Sequence, residues 1–305
     1  MSIKFSIIIP TYNRHQNLSC CLMALAKQTF PTEFWEVIIS DEGTDPAVKI
    51  AQKYSTIMNI KYLWRIGKTG NPGPAKNLAS KIAIGEALIF VDSDVILNPN
   101  ALKAYDKLHS LYPETIICGR YDWLMPMNIT EELVANQFDK VVSNQFPQVA
   151  PISAGPLPGI DPRWQDEKTK FWKEPSSLSP VTGKPFALGM FGGNLLIPKK
   201  LFLEAGGFDA NIKGHGGEDC CLGWELFRRG AKALFSEDVI GWHIWHPRNQ
   251  AQNEQDVKKN IKYIENKYRD LHIKYGIIAE PEKNMIYCDK GTFISSEKRK
   301  ELGVD

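Results

Sequence analysis

The chain has 305 residues, yet no apolar stretch approaches the ~20 residues that span a bilayer. Its N-terminal apolar run stops at Pro10 and lacks both the length and the small-residue cleavage site of a secretory signal. Cysteine is scarce and poorly spaced for bridging. The adjacent pairs Cys20-Cys21 and Cys220-Cys221, with Cys118 and Cys288 alone, build neither a disulfide framework nor a CxxC metal site. They read as reduced thiols in a protein of the cytoplasm, either free there or loosely held at the membrane face. Neither sign of charge is in excess: 37 Lys and Arg stand against 35 Asp and Glu, for a net charge of +2. That excludes a nucleic-acid coat or a polybasic anchor, which need a concentrated basic field, while leaving room for a small basic pocket. No GxGxxG follows the first apolar run and no GxxxxGK[ST] occurs anywhere. The usual sequence support for an NAD-binding Rossmann domain or a P-loop NTPase is therefore missing.

What is present is a regular alternation over the first hundred residues. Phe5 to Pro10, Trp35 to Ser40, Ile60 to Ile66 and Ala87 to Val91 are apolar runs of strand length. Between them, Leu18, Cys21, Leu22 and Leu25, a short segment from Ala47 to Tyr54, and Ala75, Leu78, Ala79 and Ile82 predict helices. Strands alternating with helices predict an α/β fold with a mainly parallel sheet. A helix is expected from Thr130 to Gln145, another from near Glu218, and an amphipathic one from about Glu254 to Tyr275. The stretch from Phe146 to Pro185 differs: eight of its 40 positions are proline, interleaved with Trp164, Phe171 and Trp172. Its composition excludes long regular elements, and its aromatics argue against a plain linker.

Ligands of open α/β sheets bind beyond the carboxyl ends of the strands. The first strand ends in Pro10-Thr11-Tyr12-Asn13-Arg14, the second in Asp41-Glu42-Gly43-Thr44, the fourth in Asp92-Ser93-Asp94. Each alone suits a capped turn; together they converge on one edge. Two carboxylates after a buried strand call for a compensating cation, and Mg²⁺ or Mn²⁺ accepts such oxygens while keeping positions open for phosphate. Lys68 and Lys76, beside Gly67, Gly70 and Gly73, suit either a diphosphate or a solvated turn. Glu218 and Asp219 open a helix behind Gly214, Gly216 and Gly217, where acidic residues also favour the helix dipole. His243 and His246 lie three apart, each directly after a tryptophan (Trp242 and Trp245), at a strand end, as candidates for a metal or for core packing.

The segments SIIIPTYNR, ISDEGT, GPAKNLA and FVDSD, in that order, resemble the nucleotide-sugar domain of inverting GT-A glycosyltransferases of family 2. Phe191-Gly192-Gly193-Asn194, Gly206-Gly207-Phe208-Asp209 and Gly214-His215-Gly216-Gly217-Glu218-Asp219 resemble the carboxy-terminal region of the β-1,4-galactosyltransferases and of bacterial family 2 enzymes that share it. The resemblance runs over about residues 3 to 247. It implies a GT-A sheet flanked by helices, with residues 1–100 as the nucleotide-sugar half. Residues 101–250, including the proline-rich loop 146–185, would form the acceptor and catalytic half, and 251–305 a terminal helix and tail. One departure stands out: animal galactosyltransferases have Trp where this chain has His215, so their specificity does not carry over.

The resemblance also implies roles. Pro10, Thr11, Tyr12, Arg14, Asp41, Lys76, Asp92, Ser93, Asp94 and Gly193 would line the UDP-sugar, with Lys76 near the diphosphate. Asp94 and His243 would hold Mn²⁺ or Mg²⁺, with Asp92 and His246 as second choices. Asp219 would be the base and Glu218 would orient donor or acceptor. Trp164, Trp172 and His215 would meet the acceptor, whether a glycan, lipid-linked sugar, peptide or small molecule. The expected activity is metal-dependent, inverting transfer of a sugar from UDP by single displacement. A nucleotidyltransferase, or a silent module that only binds sugar nucleotides, is the alternative. Without QxxRW or a membrane span, a processive membrane polysaccharide synthase is not expected.

Overall fold

A computed structural model describes residues 2–66, 71–124, 128–143, 174–180, 183–246, 250–277, 285–287 and 293–295. Strands β1 (Phe5–Thr11), β2 (Trp35–Asp41), β3 (Ile60–Trp64) and β4 (Ala87–Val91) are the expected apolar runs. Every residue of β1, β2 and β4 is buried, because helices cover both faces. Side chains alternate between the faces. Ile8, Ile38, Leu88 and Phe90 join one core, while Ile7, Ile9, Val37, Ile39, Ile89 and Val91 join the other.

Helices α1 (His15–Ala26), α2 (Val48–Tyr54) and α3 (Gly73–Ile82) follow the strands as their periodicity predicts, and a further helix, α4 (Ala101–Leu111), is not expected from it. Leu18, Cys21, Leu22 and Leu25 of α1 lie in the second core with Tyr54 and Tyr105. The expected helix from Thr130 is two short ones, α5 (Glu131–Asn136) and α6 (Phe138–Ser143), broken at Gln137. Thr130 caps α5 by accepting the Leu133 N–H at 3.3 Å.

The second half inserts antiparallel strands into this parallel frame. With β5 (Val95–Leu97), β6 (Ile116–Trp123), β7 (Asn194–Pro198) and β8 (Ala233–His243), the eight-stranded sheet runs β3-β2-β1-β4-β7-β6-β8-β5. Strand β7 pairs antiparallel with β4, Val91 opposite Asn194. Strand β8 pairs antiparallel with β5, Val95 opposite His243. These two pairings bring residues about 100 and 150 positions apart to the end of β4. Helix α7 (Lys199–Glu204) follows β7, and α8 (Glu218–Arg228) packs Cys221, Leu222, Trp224 and Leu226 into the first core. The last helical stretch is α9 (Gln250–Lys267) and α10 (Arg269–Lys274), divided at Tyr268. In the tail, β9 (Met285–Tyr287) and β10 (Phe293–Ser295) pair as a separate antiparallel ribbon, which the sequence pattern does not signal.

Of the proline-rich segment, Trp164, Phe171 and Trp172 lie outside the described residues. In its described part, Ser176 bridges Ala233 and Leu178 bridges Pro185. No helix among the described residues is long and apolar enough to cross a membrane.

Candidate active site

Strands β1, β2 and β4 are parallel, so their carboxyl ends leave the sheet at one edge. Thr11 pairs with Asp41 there. The Asp41 carboxylate is engaged in its own turn: it accepts the N–H groups of Gly43 and Ala47, each at 2.8 Å, and the Tyr62 hydroxyl at 2.6 Å. Asn13, in the left-handed region at φ 51°, stitches the first loop to the second through Thr44 and Asp45. The Thr11 hydroxyl is buried with no hydrogen-bond partner among the described residues, while half of the Tyr12 surface is open. Arg14 occupies the N-cap position of α1.

At the end of β4 the two aspartates part company. Asp94 turns toward β8, with its Oδ1 3.4 Å from His243 Nε2 and its Oδ2 3.0 Å from His246 Nε2. The Ile244 N–H donates to the Asp94 carbonyl at 2.7 Å, which locks this register. One donor atom from each of Asp94, His243 and His246 lies within 4.8 Å of the others, a compact O,N,N set for a divalent ion. Burial would raise the Asp94 pKa, but the two imidazoles hold it well below the usual carboxylate range. Asp94 Oδ1 has no hydrogen-bond partner among the described residues, so an electron pair remains for a cation. The residues present therefore fit a metal. Both histidines share Asp94, where the sequence favoured His243 over His246.

Asp92 turns the other way, toward Lys76. That lysine is 1% exposed, with its ammonium 3.1 Å from the Gly192 carbonyl, 3.3 Å from Asp92 Oδ1 and 3.7 Å from Asp219 Oδ1. Burial opposes its charge, but Asp92, Asp219 and Glu218 outweigh burial and raise its pKa. A long apolar stem and a strongly basic head make Lys76 an internal counter-ion between Asp92 and Asp219. Burial raises the Asp92 pKa, Lys76 pulls it back, and Asp94 and Asp219 raise it further.

Glycines make the approach possible. A Cβ on Gly192 would overlap Asp219 Oδ1 and crowd the Lys76 ammonium, and one on Gly193 would crowd Tyr121 and Asp92 Oδ2. The Gly193 carbonyl accepts the Asp92 N–H at 3.4 Å. Glu218 and Asp219 form the first turn of α8, whose N-cap Gly217 is left-handed at φ 91°. Burial, and then the charge of Asp219, push Glu218 up to about 8, so it is largely protonated at neutral pH. The Asp219 side chain stays about one-fifth exposed. His215 lies three residues ahead, its N–H donated to Asp256 Oδ2 at 3.1 Å.

Aromatic residues that the motif reading passed over wall the site. Trp123 packs on the His243 imidazole with centroids 3.9 Å apart, and Tyr121 stacks on Phe191 at 6.4 Å. Tyr121 and Trp123 occupy alternate positions on β6, so they share a face. That two-residue spacing was the available signal.

Comparison with known proteins places this geometry. The sequence profile described as "Glycosyl transferase family 2" matches residues 6–133. This part of the chain is similar to a glycosyl transferase family 2 domain. Among relatives, it is 29% identical over 269 residues to a validoxylamine A glucosyltransferase of Streptomyces hygroscopicus subsp. limoneus, covering 87% of this chain and 57% of that protein. It is 43% identical over 102 residues to the poly(ribitol-phosphate) beta-N-acetylglucosaminyltransferase TarS of Staphylococcus aureus, covering 33% of this chain and 18% of TarS. The chain thus spans little more than half of the first relative and under a fifth of the second. A structure of S. aureus TarS 1-349 in complex with UDP-GlcNAc superposes with a TM-score of 0.62 at 17% identity, over 92% of this chain and 77% of that one. The fold is the GT-A fold, as the sequence led one to expect.

Proposed function

We propose that this protein is a metal-dependent, inverting glycosyltransferase that moves a sugar from UDP to an acceptor hydroxyl or other nucleophile. One observation carries the reading: a divalent-ion donor set forms on Asp94, and two residues before it Asp92 is linked through Lys76 to Asp219 of the acidic pair. The TarS complex with UDP-GlcNAc supports the choice of UDP among donors, and a mannosyltransferase structure containing Mn²⁺ supports the metal.

Asp94, His243 and His246 would hold Mn²⁺ or Mg²⁺, which when bound neutralises the charge that develops on the UDP leaving group. Thr11, Tyr12, Arg14 and Asp41 border the nucleoside, the first with an unsatisfied hydroxyl and the second with an open ring face. Asp219 is the base. It is the more exposed of the two acidic residues, so an acceptor can reach it, whereas Glu218 is nearly buried and largely protonated. The acceptor oxygen gives its proton to Asp219 as it attacks the anomeric carbon, and the C–O bond to UDP breaks on the opposite face. Protonated Glu218 donates a hydrogen bond beside it to donor or acceptor. Lys76 keeps three carboxyl groups at close range without mutual repulsion dominating. Acceptor residues are proposed at His215 and, beyond the described residues, at Trp164 and Trp172.

The test is UDP release from a panel of UDP-sugars with Mn²⁺, with the product linkage read by NMR. Activity that EDTA abolishes and Mn²⁺ restores, giving a β-linked product from an α-linked donor, is the expected result. Full activity in EDTA, a retained configuration, or pyrophosphate chemistry in place of UDP release would overturn it.

A further inference from the structure

We propose that Asn260 and Asp256, both on α9, are positioning residues for Asp219: they hold the loop that delivers it. The proposal rests on the reading of Asp219 as base, but its mechanical half stands on the structure alone. Residues 214–217 are Gly-His-Gly-Gly, with φ of +64°, +80° and +91° at Gly214, Gly216 and Gly217. Glycine reaches these angles without strain but has no preference that would hold it there. The helix that follows has no side-chain cap: Gly217 has no side-chain oxygen for the first N–H groups of α8. The glycines and the uncapped helix start leave the turn on which Glu218 and Asp219 sit dependent on support from outside it.

Helix α9 supplies what the loop lacks. Asn260 is 5% exposed, and its amide Nδ2 donates to the carbonyls of Gly216 at 2.7 Å, Lys213 at 2.8 Å and His215 at 3.4 Å. Its Oδ1 accepts the Lys213 N–H at 3.4 Å. One side chain therefore engages both ends of the turn. One turn earlier on α9, Asp256 Oδ2 accepts the His215 N–H, in space that a Cβ on Gly214 would occupy. Val257 and Ile264 of the same helix pack on Gly216 and Gly217. Positions 256, 257, 260 and 264 form one helical face. The glycines let the loop lie flat on that face, and the asparagine pins it. A base displaced by about 1 Å can lose on the order of 100-fold in rate.

The test uses the full chain and three substitutions. Asn260→Asp keeps the shape but removes both donated protons and sets a charge against three carbonyls. It should lower kcat by about 10–100-fold, with donor KM and Mn²⁺ dependence within about twofold of wild type. Hydrogen exchange should quicken in the peptide spanning residues 213–222, with β1 and β4 unchanged. Asp256→Ala should follow in milder form, and Asp256→Asn, whose amide oxygen still accepts the His215 N–H, should restore most of kcat. If Asn260→Asp does not fold, the Asp256 pair decides. Wild-type kcat in Asn260→Asp or Asp256→Ala, a parallel loss of kcat and donor affinity, or exchange that rises uniformly would overturn the proposal. If the wild type turns over no UDP-sugar, the functional reading fails, and the exchange comparison still decides whether α9 holds the loop.

Discussion

At the residue scale, the site is ordered by where each carboxyl group finds a positive partner. Asp94 takes the imidazoles, Asp92 takes Lys76, and Asp219 stands 3.7 Å from the same ammonium. Glu218, one position away, feels the same ammonium more weakly and is pushed up to about 8 by burial and then by Asp219. Asp219→Asn preserves shape but removes the proton acceptor and the charge that faces Lys76 at 3.7 Å. It should lower kcat by about 10²–10⁴-fold, with UDP affinity nearly unchanged in equilibrium titration, because the residues proposed for the nucleotide are others. Equal losses in kcat and UDP affinity would mean that Asp219 binds donor instead. A second expectation concerns Trp123, whose ring covers the His243 imidazole. Groups around a ligand orient it, and their loss typically weakens metal binding by about 10–100-fold. Trp123→Ala should weaken Mn²⁺ binding toward that range by calorimetry; an unchanged affinity would make the ring mere packing. Much of this was legible in the sequence, since acidic residues after strand ends and behind glycines mark themselves. Lys76 was not, because sequence placed it beside a phosphate-binding turn and could not show that its ammonium is buried.

At the element scale, the βα alternation was readable because each strand is buried on both faces and each helix shows one apolar stripe. The insertion of β7 between β4 and β6 was not, since antiparallel pairing across 100 residues leaves no local pattern. Nor was the break between α9 and α10, where a helical periodicity continues through Tyr268. That break matters for stability. It sends α10 across Trp224, with His272 3% exposed and its ring 4.5 Å from the indole. Neither ring nitrogen has a hydrogen-bond partner among the described residues. Burial, opposed by Asp270, lowers the His272 pKa to about 4, so the folded ring is neutral at pH 7. In the unfolded chain it titrates near 6.5. The unfolded state therefore binds more protons between these values, and stability is full above about pH 6.5 and lost as pH falls toward 4. From pH 7 to pH 5 this one group should remove about 2 kcal/mol. Urea melts at the two pH values should show that loss in wild type and a smaller one in His272→Leu. Equal slopes in both proteins would clear His272 of the effect.

At the scale of the whole molecule, the site exists only where the two halves of the chain meet. Asp94 comes from the parallel half, His243 and His246 from the end of β8, and Asp219 from the first turn of α8, behind a loop that α9 contacts. Sequence could name most of these residues, because each motif is local. It could not name Asn260, which lies in an amphipathic helix with no motif around it and acts through backbone carbonyls. The expected division at residue 250 thus separates, in sequence, parts that touch in space. Such a site has a thermodynamic consequence. A ligand bridging distant segments binds the folded state alone and stabilises it by mass action, about 2.7 kcal/mol at a hundredfold excess over Kd. For a chain of this size that corresponds to a Tm rise of roughly 5 °C or more. UDP with Mn²⁺ should produce that rise, and UDP in EDTA should produce little of it, because the diphosphate then meets Asp92 and Asp94 with no cation between them. Asp94→Asn keeps the fold of the strand end but weakens the ion's anchor, so it should lose most of the Mn²⁺-dependent part. His243→Ala and His246→Ala should each lose a share, since both imidazoles face Asp94. A full shift in either variant would remove that histidine from the metal site, and an equal shift with and without EDTA would remove the metal from nucleotide binding altogether.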